Sequence, residues 1–123
     1  MVVYRLHALT GDKAHAGTSA NVYCQLHGDK GTSGRVPLKA DGRLFCRNKT
    51  DIFEIRCQDL GPLKRLDIGH DNKGLGAGWF LESVAVESPV EGLKYLAPVQ
   101  RWLDAEEDGG TLEVSLALDP ANA

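Results

Sequence analysis

Apolar side chains recur at every second position through most of this 123-residue chain. Val2, Tyr4, Leu6 and Ala8 alternate with Val3, Arg5, His7 and Leu9, and Ala20, Val22, Cys24 and Leu26 alternate with Asn21, Tyr23, Gln25 and His27. The pattern returns around Val36–Ala40, Asp51–Cys57, Arg65–His70, Leu93–Val99 and Leu112–Leu118. A period of two sends successive side chains to opposite faces of an extended ribbon, so each segment can bury only one face. Trp79–Glu87 is apolar at denser spacing, which predicts burial on both faces or a bulge. Turn signals such as Thr10-Gly11-Asp12, His27-Gly28-Asp29, Ala40-Asp41-Gly42 and Asp108-Gly109-Gly110 separate the segments. Eight short strands at this spacing predict an all-β antiparallel sandwich or barrel. Pro37 marks its strand as an edge, since proline cannot donate to a ladder. No stretch holds a 3.6 period over a dozen residues, and only Val99–Ala105 reads as a short helical turn.

The length suits a single domain, residues 1–118, followed by a short tail over 119–123. Nothing in it reads as a signal peptide, and no apolar run approaches the ~20 residues of a membrane span. The three cysteines, Cys24, Cys46 and Cys57, are odd in number and form no C-x-x-C pair. Cys24 and Cys57 fall on alternating apolar runs, where buried thiols are expected. A reducing, cytoplasmic setting follows, with a peripheral place at a membrane.

The chain offers little catalytic chemistry. Ser33 lacks the G-x-S-x-G frame, and Gly74–Gly78 is followed by a strand rather than the helix a phosphate loop requires. His70-Asp71 has the composition of an oriented base, but a strand-end histidine bonded to backbone is the expectation. Glu106-Glu107-Asp108 reads as a solvated tip. No enzyme is expected, and no cofactor is required.

Charge is more informative. The net charge is −3, which disfavours a nucleic-acid binder. Residues 30–49 nevertheless hold Lys30, Arg35, Lys39, Arg43, Arg47 and Lys49 against Asp41 alone, a net of +5. Residues 104–119 hold six acids and no base. A basic stretch attracts anionic lipid headgroups at about 1 kcal/mol per well-placed cation, or an acidic protein surface. Leu44 and Leu75, on turn-rich segments, are the apolar residues placed to touch a membrane. Phe45 is expected to cap the core.

Longer motifs carry a resemblance. Leu60-Gly61-Pro62-Leu63-Lys64-Arg65-Leu66-Asp67-Ile68-Gly69-His70-Asp71-Asn72-Lys73-Gly74, then Gly78-Trp79-Phe80-Leu81, resembles the signature of PLAT domains (polycystin, lipoxygenase, alpha-toxin). Thr10-Gly11 with Ala16-Gly17-Thr18, Phe45 with Asn48-Lys49-Thr50-Asp51 and Phe53, and Gln100-Arg101-Trp102-Leu103 extend it over nearly the whole chain. Asn48 stands where the family usually has glycine. The tandem arrays of lipoxygenase-homology proteins are the nearest in feel.

The resemblance implies two four-stranded antiparallel sheets in an eight-stranded sandwich. It makes Trp79 and Trp102 core aromatics whose indole N–H finds a carbonyl. Asp71 and Asn72, and Asp51 before Phe53, would satisfy turn amides, and Arg101 would pair with the acidic loop. It also implies a non-catalytic, monomeric accessory unit that brings a larger protein to a membrane or a protein partner. Some members bind calcium through loop carboxylates. Here His15-Ala16-Gly17-Thr18-Ser19 lacks the two acids usual in that loop, and Ala77 stands where some calcium binders carry aspartate. The remaining oxygen ligands, Asp12, Asp29, Asp71 and Asn72, predict at best a weak Ca2+ site.

Overall fold

A computed structural model of the chain describes residues 1–40, 42–74 and 76–119. Its strands are β1 (Val2–Thr10), β2 (Val22–Gly28), β3 (Gly31–Thr32), β4 (Val36–Pro37), β5 (Thr50–Cys57), β6 (Leu63–His70), β7 (Trp79–Ser88), β8 (Leu93–Leu103) and β9 (Glu113–Ala117). One sheet has the order β5-β1-β7-β8. In the other, β2 pairs β6 and β6 pairs β9, while both β3 and β4 pair β2. Every pairing is antiparallel.

The second sheet therefore counts five strands where four were expected. β6 occupies one side of β2, so β3 and β4 share the other, with Thr32 opposite His27 and Val36 opposite Cys24. Between them Ser33 stays tied to Leu26. Its N–H donates to the Leu26 carbonyl at 3.0 Å, and its Oγ accepts the Leu26 N–H at 2.9 Å. β3 and β4 are thus two pieces of one interrupted edge ribbon. This ribbon starts earlier than the alternation around Val36–Ala40 suggests and ends at Pro37, just after which the Leu38 N–H still donates to the Val22 carbonyl at 2.9 Å. Leu38 then turns inward, 3% exposed.

Inward positions fill the space between the layers. Tyr4, Leu6, Phe53, Ile55, Val84, Val86 and Tyr95 from one sheet meet Val22, Cys24, Leu26, Leu66, Ile68 and Val114 from the other. Cys24 and Cys57 are buried and unpaired, as expected. Burial raises the Cys24 thiol to about 12, so it is inert as a nucleophile. Trp79 is wholly buried, and its Nε1–H donates to the Thr10 hydroxyl at 2.8 Å rather than to a carbonyl.

Three expectations are corrected. Val99–Ala105 makes no helical turn: β8 continues to Leu103, held by pairing of Trp102 with Phe80 and Leu103 with Trp79. The only short turn of helix among the described residues is a 3-10 turn at Asp108–Gly110. Trp102 is only partly buried and packs edge-on against Phe80 at 5.4 Å, because both lie outside the inter-sheet space. Arg101 reaches the acidic loop, but Nη2 donates to the Asp108 backbone carbonyl at 2.9 Å, not to a carboxylate. The bulge foreseen near the dense apolar run is real. The β7–β8 register shifts between Leu81 and Ser83, where Gln100 adopts φ 52°.

Among the described residues no helix is long and apolar enough to cross a membrane. Residues 120–123, most of the expected tail, lie outside the described residues, as does Leu75.

Crossovers between the layers sort the loops onto two ends. His70 Nε2–H donates to Leu103 O at 2.6 Å, and the Thr10 N–H donates to Lys49 O at 3.1 Å. Segments 11–21, 38–40, 42–49, 71–74, 76–78 and 104–112 therefore gather at one end. At the other, the Lys30 N–H donates to Leu60 O at 2.9 Å and the Leu60 N–H to the Tyr4 hydroxyl at 3.0 Å.

Candidate association surface

The loop end is assembled around Phe45. This residue has φ 57°, a left-handed conformation that costs a bulky L-residue roughly 1–2 kcal/mol. Three contacts hold it there. Asp51, 5% exposed, accepts the Phe45 N–H through Oδ2 at 2.8 Å. The Phe45 carbonyl accepts the Thr18 N–H at 3.2 Å. The ring stacks on Phe53 at 5.6 Å and meets Trp79 edge-on at 5.1 Å. Asp51 also binds Lys49 Nζ at 3.1 Å, and Lys49 donates to the Arg43 carbonyl. Asn48, in the place of a family glycine, has φ 56°, a conformation that asparagine tolerates better than most residues. The basic segment 42–49 is thus a shaped loop, pinned by one buried carboxylate at the start of β5.

Neighbouring loops lock against it. A Cβ on Gly17 would lie 2.5 Å from the Phe45 oxygen, so glycine is needed for this approach. Thr18 Oγ1 donates to Ala77 O at 2.6 Å, tying segment 11–21 to segment 71–78. The sequence alone does not reveal the stitching role of Gly17 and Thr18. A Gly-Thr pair inside a turn-rich loop is the only signal for it. His70 behaves as expected of a backbone-bonded residue: Nδ1 accepts the Asn72 N–H at 3.0 Å while Nε2–H serves Leu103. Both ring nitrogens are engaged inside the core, which leaves no free base for substrate.

The structure divides the basic stretch. Lys30 lies at the far end, 3.7 Å from Asp59. Arg35 sits on the edge ribbon, 3.7 Å from Glu113 and 3.9 Å above the Tyr23 ring. Arg47 and Lys49 are at the loop end but paired with Asp12 at 2.9 Å and Asp51. Lys39 and Arg43 are exposed and make no ion pair among the described residues. They flank adjoining hollows between segments 17–22 and 38–47, lined also by Thr18, Ser19, Leu44 and Phe45. Leu44 is partly buried against the core rather than projecting as a tip. The acidic segment reaches the same end from the other side, where Asp104 and Glu107 face His15 and Trp102. The parts of the two opposed charge regions that reach the loop end, Lys39 and Arg43 on one side and Asp104 and Glu107 on the other, therefore make it dipolar.

The oxygen ligands do not converge on a cation. Asp29 is at the opposite end, 3.5 Å from Lys64. Asp12 is held by Arg47. Asp71 Oδ1 accepts the Asn21 and Lys73 N–H groups at 3.1 Å, and Oδ2 accepts Asn21 Nδ2 at 2.7 Å. The Asn21 amide leads the effects that hold this carboxyl below its ordinary range. Among the described residues no three His, Cys, Asp or Glu side chains group for a metal. A hard cation wanting six to eight oxygens does not fit this set.

A family model described as PLAT/LH2 domain matches residues 4–116. Lipoxygenase homology domain-containing protein 1 of Mus musculus is 41% identical over 117 residues, which is 92% of this chain and 6% of that protein. Polycystin-1 of Homo sapiens is 36% identical over 113 residues, 89% of this chain and 3% of that protein. Among solved structures, coral 8R-lipoxygenase, described as calcium-activated through a C2-like domain, superposes with TM-score 0.84 at 23% identity, over 95% of this chain and 17% of its own. The chain thus spans only a small part of the relatives it matches.

Proposed function

Because the chain belongs to the PLAT/LH2 domain family, we propose that it is a non-catalytic association module whose basic loop meets an anionic lipid surface. The observation that carries this reading is the exposed pair Lys39 and Arg43, which make no ion pair among the described residues, beside hollows with amide, hydroxyl and apolar lining. Two cations in that position would supply about 2 kcal/mol toward an anionic surface. The acidic segment 104–108 would be repelled, so the domain would tilt and approach by its basic side. Arg47 and Lys49 would add little while Asp12 and Asp51 neutralise them.

The purified chain is expected to sediment with phosphatidylserine vesicles in excess over phosphatidylcholine vesicles. The excess falls with salt, because exposed charges are screened over about 8 Å at physiological ionic strength. Lys39→Glu with Arg43→Glu is expected to lower the partition coefficient at least about tenfold. Equal sedimentation with both vesicles would remove the lipid reading.

The acidic half of the end supports a second reading, a protein scaffold. A partner carrying both signs of charge would use the whole dipolar surface. Retention of a protein partner without lipid, lost on reversing either half, would favour it. Calcium-dependent lipid sensing is the weakest alternative, since the acids present are tied to other groups. Isothermal titration is expected to show no Ca2+ site tighter than about 10 μM, and a tighter site would overturn that expectation.

A further inference from the structure

The outer face of the β5-β1-β7-β8 sheet carries an apolar band. Register across the four strands gives three transverse rows: Ile52, His7, Ala85, Leu96; then Thr50, Leu9, Ser83, Pro98; then Glu54, Arg5, Glu87, Lys94. Ile52 is 55% and Leu96 48% exposed, the most exposed large apolar residues in the strands. Between these rims Ala85 leaves a trough, and a groove of about 380 Å³ runs along His7, Leu9, Ser83, Ala85, Leu96 and Pro98.

We infer that this face pairs with the same face of a second copy of the domain. The charged row decides the occupant. Its signs alternate, minus, plus, minus, plus, with Glu54 3.9 Å from Arg5 and Glu87 bonded to His7 at 2.7 Å within the copy, so the row is neutral overall and has no attraction for a uniformly anionic surface. A two-fold axis parallel to the strands, midway between β1 and β7, reverses the strand order. It sets Glu54 against Lys94 of the second copy and Arg5 against Glu87, each opposite in sign. The same operation sets Ile52 against Leu96 and His7, a large side chain, against Ala85, a small one. Such self-complementarity is what an isologous interface requires.

The face is small. Four strands about 4.8 Å apart and some six residues deep cover roughly 400 Å² per copy, about half of a standard interface. Dilute chain is therefore monomeric, and pairing appears at high concentration. Copies joined by a short linker or crowded on a surface reach such millimolar effective concentrations.

Sedimentation equilibrium of the whole chain, under reducing conditions so that Cys46 plays no part, tests this. A dimer is expected with a dissociation constant between about 50 μM and 1 mM. Leu96→Arg weakens it at least about tenfold, and Lys94→Glu about three- to tenfold. Adding Glu54→Lys to Lys94→Glu restores it to within about twofold, because the two-fold axis brings these positions together. Each variant is on an exposed site, and its fold is checked by circular dichroism. A chain that stays monomeric at about 1 mM, a dimer indifferent to Leu96→Arg, or a double variant weaker than either single one overturns the inference.

Discussion

Trp79→Ala is expected to remove about 3–5 kcal/mol of folding stability, which is much of what a domain of this size possesses. The indole is wholly buried. Its loss opens a cavity between Phe45 and the inward residues of both sheets, and strands the Thr10 hydroxyl, itself 0% exposed, without its donor. Urea denaturation followed by circular dichroism measures the effect. Trp79→Phe separates its two parts. It keeps most of the apolar volume and loses the N–H, so it should cost about 1–3 kcal/mol. If Trp79→Ala lowered stability by less than about 1 kcal/mol, the packing described for the loop end would be wrong.

Asp51→Ala is expected to cost about 2–4 kcal/mol and to loosen the basic loop at the same time. The substitution leaves the Phe45 N–H buried without an acceptor and frees Lys49, while the strain at φ 57° remains. Asp51→Asn keeps an acceptor for Phe45 but turns an amide NH2 toward the Lys49 ammonium in place of the ion pair, and that half-exposed lysine can swing to water. This substitution should cost no more than about 1 kcal/mol. Hydrogen exchange across residues 42–50 reads the second effect: faster exchange in Asp51→Ala, near-native exchange in Asp51→Asn. Equal behaviour of the two variants would show that the carboxylate pins nothing through Phe45.

These residues mark how far the sequence was legible. The alternation located nearly every strand, because a half-buried ribbon must repeat with period two. Local chemistry was legible too: Asp51 before Phe53, His70 at a strand end and Phe45 turned inward all follow from short-range needs of buried donors and rings. What sequence order concealed was the end of the sandwich on which each loop emerges. Lys30 and Lys39 are near neighbours in the chain, yet one lies beside Asp59 and the other beside the loop-end hollows, because an edge ribbon runs between them. Asp29 leaves the ligand set for the same reason. Conversely, segments 38–49 and 104–108, far apart in sequence, meet at one end through crossovers that only the complete topology defines. Trp102 misled because aromatic identity does not reveal which face of a bulged strand it occupies.

Residues 17–19, 38–40 and 42–47 are the part of the domain that the proposed function brings to an anionic surface. Amide chemical-shift mapping with phosphatidylserine-containing bicelles, against phosphatidylcholine bicelles as reference, tests it most directly. Shifts and broadening centred on Thr18, Lys39, Arg43 and Leu44, fading as salt is raised, are the predicted result. Perturbations centred instead on the far end around Lys30 and Lys64, or none that depend on phosphatidylserine, would contradict it.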